Sequence, residues 1–261
     1  MQPFERLRYL ARWTDEDGAE LLSEAADCLA QFDDDPAGLV VACRRLLAHH
    51  PTSAPLWWLC ARVLGSSETG DAAWEAWRAF RSDTTPERVA TAIPFLHEGR
   101  VAVYGWPELI ANGLAERLDL ELIAVAPPEG DIALSRRLRN AVQPVRVVGE
   151  TELLALEPTH LLVDAVAAGG GTTLVSTGAG YLAGTMCDLG ATVMLVAGLG
   201  RALPERLFGA LLNAVGDDPT LEAVGANAFS SIIGPNGIES MSAFARRADA
   251  PAAPELLRLP I

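Results

Sequence analysis

The chain has 261 residues, half of them hydrophobic, enough to bury a sizeable core in one or two domains. Its 34 acidic residues outweigh 20 basic ones, for a net charge of −14, which argues against nucleic acid and anionic membranes as partners because both demand basic surface. All the basic residues are arginine, so Schiff-base chemistry and a phosphate-loop lysine are excluded.

Residues 4–64 read as helices. Leu21, Leu22, Ala25, Ala26 and Leu29 recur at helical spacing. DDDPAG (33–38) interrupts them, and Asp35 before Pro36 signals a new helix start. That helix is expected to end at His50-Pro51. APLWWLCARVL (54–64) is apolar nearly all round, which predicts a buried helix with Trp57 and Trp58 as packing residues. A loop, GSSETGD, precedes a helix predicted from Asp71 to Arg81, and another follows Pro86. From about residue 100 strand-like and helix-like runs alternate: RVAVYG, WPELIANGLAERL, LELIAVAPP, DIALSRRLRNAV, PVRVVG, HLLVDAV, TTLVS, GAGYLAGTMCDLG, ATVMLVAGL and LPERLFGALLNAV. Such alternation implies a parallel sheet with helices on both faces. The expected architecture is α/β: a helical domain over residues 1–98, then a Rossmann-like domain over 99–261, an open parallel sheet with flanking helices. The Pro- and Ala-rich tail from Asp249 is expected to pack as an extended segment.

No apolar run is long enough to span a membrane, and MQPFERLRYLARW lacks the apolar core of a signal peptide. Cys28, Cys43, Cys60 and Cys187 have no metal-type pairing and read as reduced thiols of a cytoplasmic protein. His49, His50, His97 and His160 likewise have no partner at metal spacing. Asp33, Asp34 and Asp35 lack the alternating ligands and distal Glu of a calcium loop, so they read as a solvated helix start. No G-x-S-x-G elbow supports a serine hydrolase.

The chemistry concentrates in DAVAAGGGTTLVSTGAGYLAG (164–184). GAGYLA (178–183) fits G-x-G-x-x-G/A, but no acid ends the next strand to hold a ribose, so no nicotinamide or flavin cofactor is expected. A glycine turn opening a helix exposes backbone N–H groups suited to an anion; the alternative is that these glycines serve tight turns and close packing. Asp164 ends an apolar strand, where open α/β sheets bind ligands, and burial would suit it to proton transfer; the alternative is a cap on the following loop.

Three segments carry a resemblance. HPTSAPLWWLCARV (50–63) resembles RPT…PL.NAL..V, and FLHEGRVAVYGWPELIANGL (95–114) resembles I.DG..ILTHS.S..V...L. THLLVDAVAAGGGTTLVSTGAGYLAGTMCDLGATVMLVAG (159–198) resembles D.VLLGADAI..NG.VVNKIGT..LA..A...GVPVYV. These patterns, in this order over most of the chain, are those of the alpha, beta and delta subunits of translation initiation factor 2B and of the methylthioribose-1-phosphate and ribose-1,5-bisphosphate isomerases. The resemblance places the isomerases' catalytic acid at Asp164. Their Asn-Lys pair falls on Val175 and Ser176, and the Gly-Thr pair after it on Gly178 and Ala179. Their E-S-R-P segment falls near Val125, Ala126, Pro127 and Pro128, without its arginine. No residue stands for their catalytic cysteine; Cys187 lies in a later helix.

Sugar-phosphate isomerisation needs a proton donor and acceptor across the sugar and anchors for its phosphate. The expectation is therefore a noncatalytic, homo-oligomeric binding module with Asp164 as the residue in the catalytic position. A phosphorylated sugar or nucleotide is expected to meet Gly169, Gly170, Gly171, Ser176, Thr177, Gly178 and Arg201, and Arg136, Arg137, Arg139 and Arg201 are the phosphate partners available to the alternative that follows. The alternative is an aldose–ketose isomerase of a phosphorylated pentose, and several Arg or His side chains converging on Asp164 would favour it. A third reading is a dehydrogenase using GAGYLA.

Overall fold

The computed structural model describes residues 3–13, 18–95, 99–127 and 134–258. His97, Pro128 and the first three residues of DIALSRRLRNAV lie outside them.

Six helices come first: α1 (Pro3–Leu10), α2 (Gly18–Leu29), α3 (Pro36–His49), α4 (Ala54–Leu64), α5 (Thr69–Arg81) and α6 (Thr85–Ala92). Asp35 caps α3, its Oδ1 accepting from Gly38 N–H at 2.8 Å, and Pro36 opens the helix as predicted. Asp33 Oδ1 accepts from Gly70 N–H at 2.7 Å in the first turn of α5, so two of the three consecutive aspartates serve helix starts. In α4, Leu56, Trp57, Trp58, Leu59, Cys60 and Ala61 are fully buried. Burying indole rings requires acceptors for their N–H groups. Trp57 Nε1 donates to Pro51 O at 3.0 Å, and Trp58 Nε1 to Asp249 O at 2.9 Å.

The remainder runs β1 (Gly99–Tyr104), α7 (Glu108–Leu114), β2 (Leu120–Val125), α8 (Leu134–Arg139), β3 (Val145–Val148), α9 (Glu150–Leu156), β4 (His160–Asp164), β5 (Ala167–Gly169) and β6 (Thr172–Ser176). It continues as α10 (Ala179–Asp188), β7 (Thr192–Val196), α11 (Glu205–Val215), β8 (Leu221–Gly225), β9 (Ser231–Gly234), β10 (Gly237–Glu239) and α12 (Met241–Phe244). The main sheet has the order β3-β2-β1-β4-β7-β9-β10, parallel throughout except for β10. This is the doubly wound order of a Rossmann-like sheet. Leu182, Ala183 and Met186 of α10 cover one face with Leu153 of α9 and Phe244 of α12. The other face carries Val89 of α6, Ile110 and Leu114 of α7 and Leu134 of α8.

Three features differ from the predicted layout. TTLVS is a strand but stands outside the main sheet: β6 pairs antiparallel with β5 and β8 in a second, three-stranded sheet. Two residues between β5 and β6 allow only a hairpin, whereas a parallel return needs a dozen or more. Strands β8, β9 and β10 and helix α12 follow the last predicted helix. The tail includes a 3₁₀ turn, Pro254–Leu256, and buries Ala250, Ala253 and Leu256 among the N-terminal helices. Helix α6, in turn, packs on the main sheet, so the packing crosses residue 98 in both directions. Among the described residues no helix is long and apolar enough to cross a membrane.

Candidate functional site

The strand order reverses between β1 and β4, which makes the carboxyl ends of these two strands the expected ligand crevice. A cavity of about 190 Å³ lies there, lined by Tyr104, Trp106 and Pro107 after β1 and by Val163 and Asp164 of β4. Pro127, Arg137, Val166 and Ser176 complete its wall together with Gly105. Drug-sized ligands usually occupy roughly 300–1,000 Å³, so this cavity fits a smaller one.

Asp164 sits at the last register position of β4, opposite Val196 of β7. Its Oδ2 accepts from Arg201 Nη1 at 2.7 Å, and the same Nη1 donates to Ala165 O. Oδ1 is buried and has no hydrogen-bond partner among the described residues. Burial raises the Asp164 pKa above the ordinary carboxylate value, against the pull of Arg201 and, more weakly, Arg137. A second orphaned polar atom stands on the same wall. Trp106 is 2% exposed, and its Nε1 donor is also buried without a partner. The cavity thus pairs an unmet acceptor with an unmet donor. Buried polar groups are nearly always satisfied, so these two atoms, on two residues that line one small cavity, are exceptions among the described residues.

Tyr104 contributes little proton chemistry. Its hydroxyl donates to Thr177 O at 2.5 Å, and burial, with Glu222 and Glu150 nearby, pushes its pKa up to about 12.

The structure brings Asp164, Ser176 and Arg201 together, with Thr177 held behind Tyr104. Gly178, at φ +90°, turns the chain into α10, a conformation that favours glycine. The triple glycine is elsewhere. Gly170 and Gly171, at φ +59° and +85°, form the β5–β6 hairpin turn, and a Cβ on Gly169 would lie 2.6 Å from Phe208 Cβ. None of these three lines the cavity. The first turn of α10 is also engaged: Gly180 N–H donates to Glu222 Oε1 at 2.8 Å. Arg137 lines the wall, whereas Arg136 and Arg139 do not. Cys187 Sγ lies 3.8 Å from Ala228 O and Ser230 Oγ, away from the cavity lining. His160 starts β4, at the opposite end from Asp164.

Sequence reasoning missed Trp106 and Glu222. Trp106 follows a glycine after a strand at the switch point, a signal available in RVAVYGW once the strand order is known. Glu222 carried no signal, because β8 was not recognised.

No protein-family model matches the sequence, and no curated protein matches it. Solved structures do share its fold. Translation initiation factor eIF-2B from Pyrococcus horikoshii OT3 superposes with a TM-score of 0.73 at 14% identity, over 90% of this chain and 96% of that one. The tetrameric eIF2B-beta2-delta2 complex from C. thermophilum gives 0.69 at 18% identity, over 93% and 92%. The 5-methylthioribose 1-phosphate isomerase from P. horikoshii OT3 gives 0.65 at 13% identity, over 94% and 86%. The chain therefore has the fold that its sequence resemblance implied.

Proposed function

We propose that this protein is a noncatalytic, oligomeric binding module whose ligand, a small hydroxylated compound such as a sugar or sugar phosphate, sits at Asp164. The observation that carries this reading is that Asp164 and Trp106, both lining the switch-point cavity, each keep a buried polar atom with no partner among the described residues. Catalysis by proton transfer needs a second group that exchanges protons near neutral pH. Among the described residues the other titratable lining groups are Arg137 and Tyr104, and the Tyr104 hydroxyl is already committed to Thr177. The cavity volume suits a pentose better than a nucleotide. Assembly is supported by the tetrameric complex that shares the fold and by Tyr181 and Leu189, which α10 and the residue after it leave exposed. Cys28, Cys43 and Cys60 are buried and form no disulfide, which suits a cytoplasmic setting.

A thermal-shift titration with free sugars, sugar phosphates and nucleotides tests the site. A ligand at 100 times its Kd adds roughly 2.7 kcal/mol of stability, expected for the wild type and lost in Asp164→Ala. No shift with any compound removes the binding reading. Size-exclusion chromatography with light scattering tests assembly, and a strictly monomeric protein removes that part.

The isomerase reading has its own supporting observation: the Arg201 and Arg137 charges both act on an Asp164 whose pKa is raised. Turnover of a pentose phosphate, abolished in Asp164→Asn, would establish it over the noncatalytic one.

A further inference from the structure

Arg201 reaches Asp164 from the loop between β7 and α11, and a tight turn delivers it. Arg201 N–H donates to Gly198 O at 3.3 Å, and Gly200, at the third position of this turn, has φ +81°. A β-turn with positive φ at its third position asks for glycine there. Beyond the turn, Arg201 O accepts from Ala168 N–H at 2.8 Å, which ties the delivered residue to β5. The second turn residue is held from far away in the sequence. Leu199 N–H donates to Asp83 Oδ2 at 2.8 Å, and Asp83 lies between α5 and α6.

The two oxygens of Asp83 do separate jobs. Oδ1 accepts from Thr85 N–H at 2.9 Å and from Thr85 Oγ1 at 2.6 Å. Thr85 is fully buried, so the start of α6 aims the carboxylate. Holding a helix start needs only this oxygen. Oδ2 goes to the turn, and the turn is shaped to receive it: a Cβ on Gly198 would lie 2.8 Å from Asp83 Oδ2 and 2.6 Å from Leu109 Cδ1. Asp83 and Trp58, whose ring closes over Gly200, both come from the helical part that precedes the sheet. A buried polar network satisfied in this way fixes one geometry, and Arg201 is the last residue of the turn it fixes.

We infer that Asp83 is a positioning residue for Asp164: through Leu199 N–H it fixes the turn that delivers Arg201, and so makes the helical part of the chain a support of the cavity. The inference rests on the binding reading above for the purpose of the site and adds the residue that sets its geometry from outside the lining.

The test reads Asp164 directly. Burial raises its pKa, while Arg201 and then Arg137 pull it down, so its titration reports where Arg201 stands. Side-chain carbon NMR on the full chain gives the midpoint, with the signal assigned by its loss in Asp164→Asn. An opposite charge a few Å away lowers a carboxyl pKa by roughly 1–3 pH units, so Arg201→Gln sets the full upward displacement. Asp83→Asn keeps an oxygen for Thr85 and turns an NH2 group toward Leu199 N–H. It should raise the midpoint by part of that displacement, on the order of one pH unit, with Arg201 itself intact. Leu199→Pro removes the N–H at a turn position that favours proline and leaves Asp83 on Thr85. It should act in the same direction, and it serves if Asp83→Asn does not fold. Asp35→Ala, which loses the cap of α3, should cost stability with the midpoint unmoved. A midpoint that keeps its wild-type value in Asp83→Asn and Leu199→Pro, or that moves equally in Asp35→Ala, overturns the inference. Calorimetric titration with ribose and ribose 5-phosphate separates the two readings. If the midpoint moves as expected and neither compound binds the wild type, Asp83 positions Arg201 and the binding reading fails. If a compound binds the wild type and Asp83→Asn alike, with the midpoint unmoved, the binding reading stands and the positioning role fails.

Discussion

Arg247 grips Asp249 through two contacts, Nε to Oδ1 at 2.8 Å and Nη2 to Oδ2 at 3.0 Å, whereas Arg201 reaches Asp164 only through Nη1 to Oδ2 at 2.7 Å. Arg201 belongs to the loop that leaves β7, and Asp249 binds amides of the same loop. Asp249 Oδ2 also accepts from Gly200 and Ala202 N–H, at 2.9 and 3.2 Å, and Arg247 donates to Ala197 and Gly198 carbonyls and to Glu239. Asp83, from the helical part, accepts from Leu199 N–H at 2.8 Å. Around Asp249 the polar groups are used up, while Asp164 keeps one oxygen orphaned. A satisfied buried network fixes a geometry, and an incomplete one leaves capacity for a ligand. The first pair holds the loop that delivers Arg201, and the second uses that arginine to keep a carboxylate half-compensated at the cavity.

The largest effect should come from breaking the satisfied pair. Asp249→Ala takes from Arg247, a side chain only 10% exposed, its two-contact carboxylate partner, leaving Glu239 as the remaining one, and frees two loop amides. Removing one partner of a buried pair costs about 3–5 kcal/mol, readable from the denaturant midpoint. A cost below about 1 kcal/mol, the range of surface pairs, would erase the distinction between the two pairs.

A smaller effect should come from the loop itself. Gly200 has φ +81°, and a Cβ there would lie 3.2 Å from the Trp58 ring. Gly200→Ala should cost about 1–3 kcal/mol from the backbone conformation. Because the next residue is Arg201, the variant should also weaken ligand binding at Asp164. Lost stability with binding intact would show that Arg201 does not depend on the loop's anchors.

Much of this arrangement was legible in the sequence, and the rest was hidden for definite reasons. Asp35-Pro36, the apolar APLWWLCARVL and HLLVDAV, with its acid at the strand end, each carry a local signal, and each became the predicted element. So did the alternation that gives the main sheet. The second sheet was invisible because β8 is half-exposed, pairs with β6 through residues some fifty positions away, and shows no clean alternation. Arg247 and Asp249 read as loop charges, since the Asp249 contact with Gly200 spans 49 residues. Glu222 at Gly180 spans 42. The triple glycine looked like a ligand loop, yet Gly170 and Gly171 take the positive φ of a hairpin turn, and only register shows that they miss the cavity.

The smallest effect should separate the pairs by pH. Burial holds the folded Asp164 carboxyl above its ordinary value. Between the unfolded and folded values the folded state binds more protons, so its stability must fall as pH rises through that window. The contribution is present below the unfolded value, near pH 4, and is gone once pH passes the folded value. Asp164→Asn does not titrate there, so wild-type stability relative to this variant should decline from acid toward neutral pH and then level off. His160 has the opposite sign: burial and Arg117 lower its pKa, so its contribution is present above the ordinary histidine value and lost as pH falls. His160 is common to both proteins and cancels in the difference. Saturating polyol should flatten the decline, because hydroxyls donating to Asp164 favour its ionised form. A difference that stays level without ligand, or rises with pH, would mean that Asp164 is as fully compensated as Asp249, and the cavity would lose its claim to a ligand.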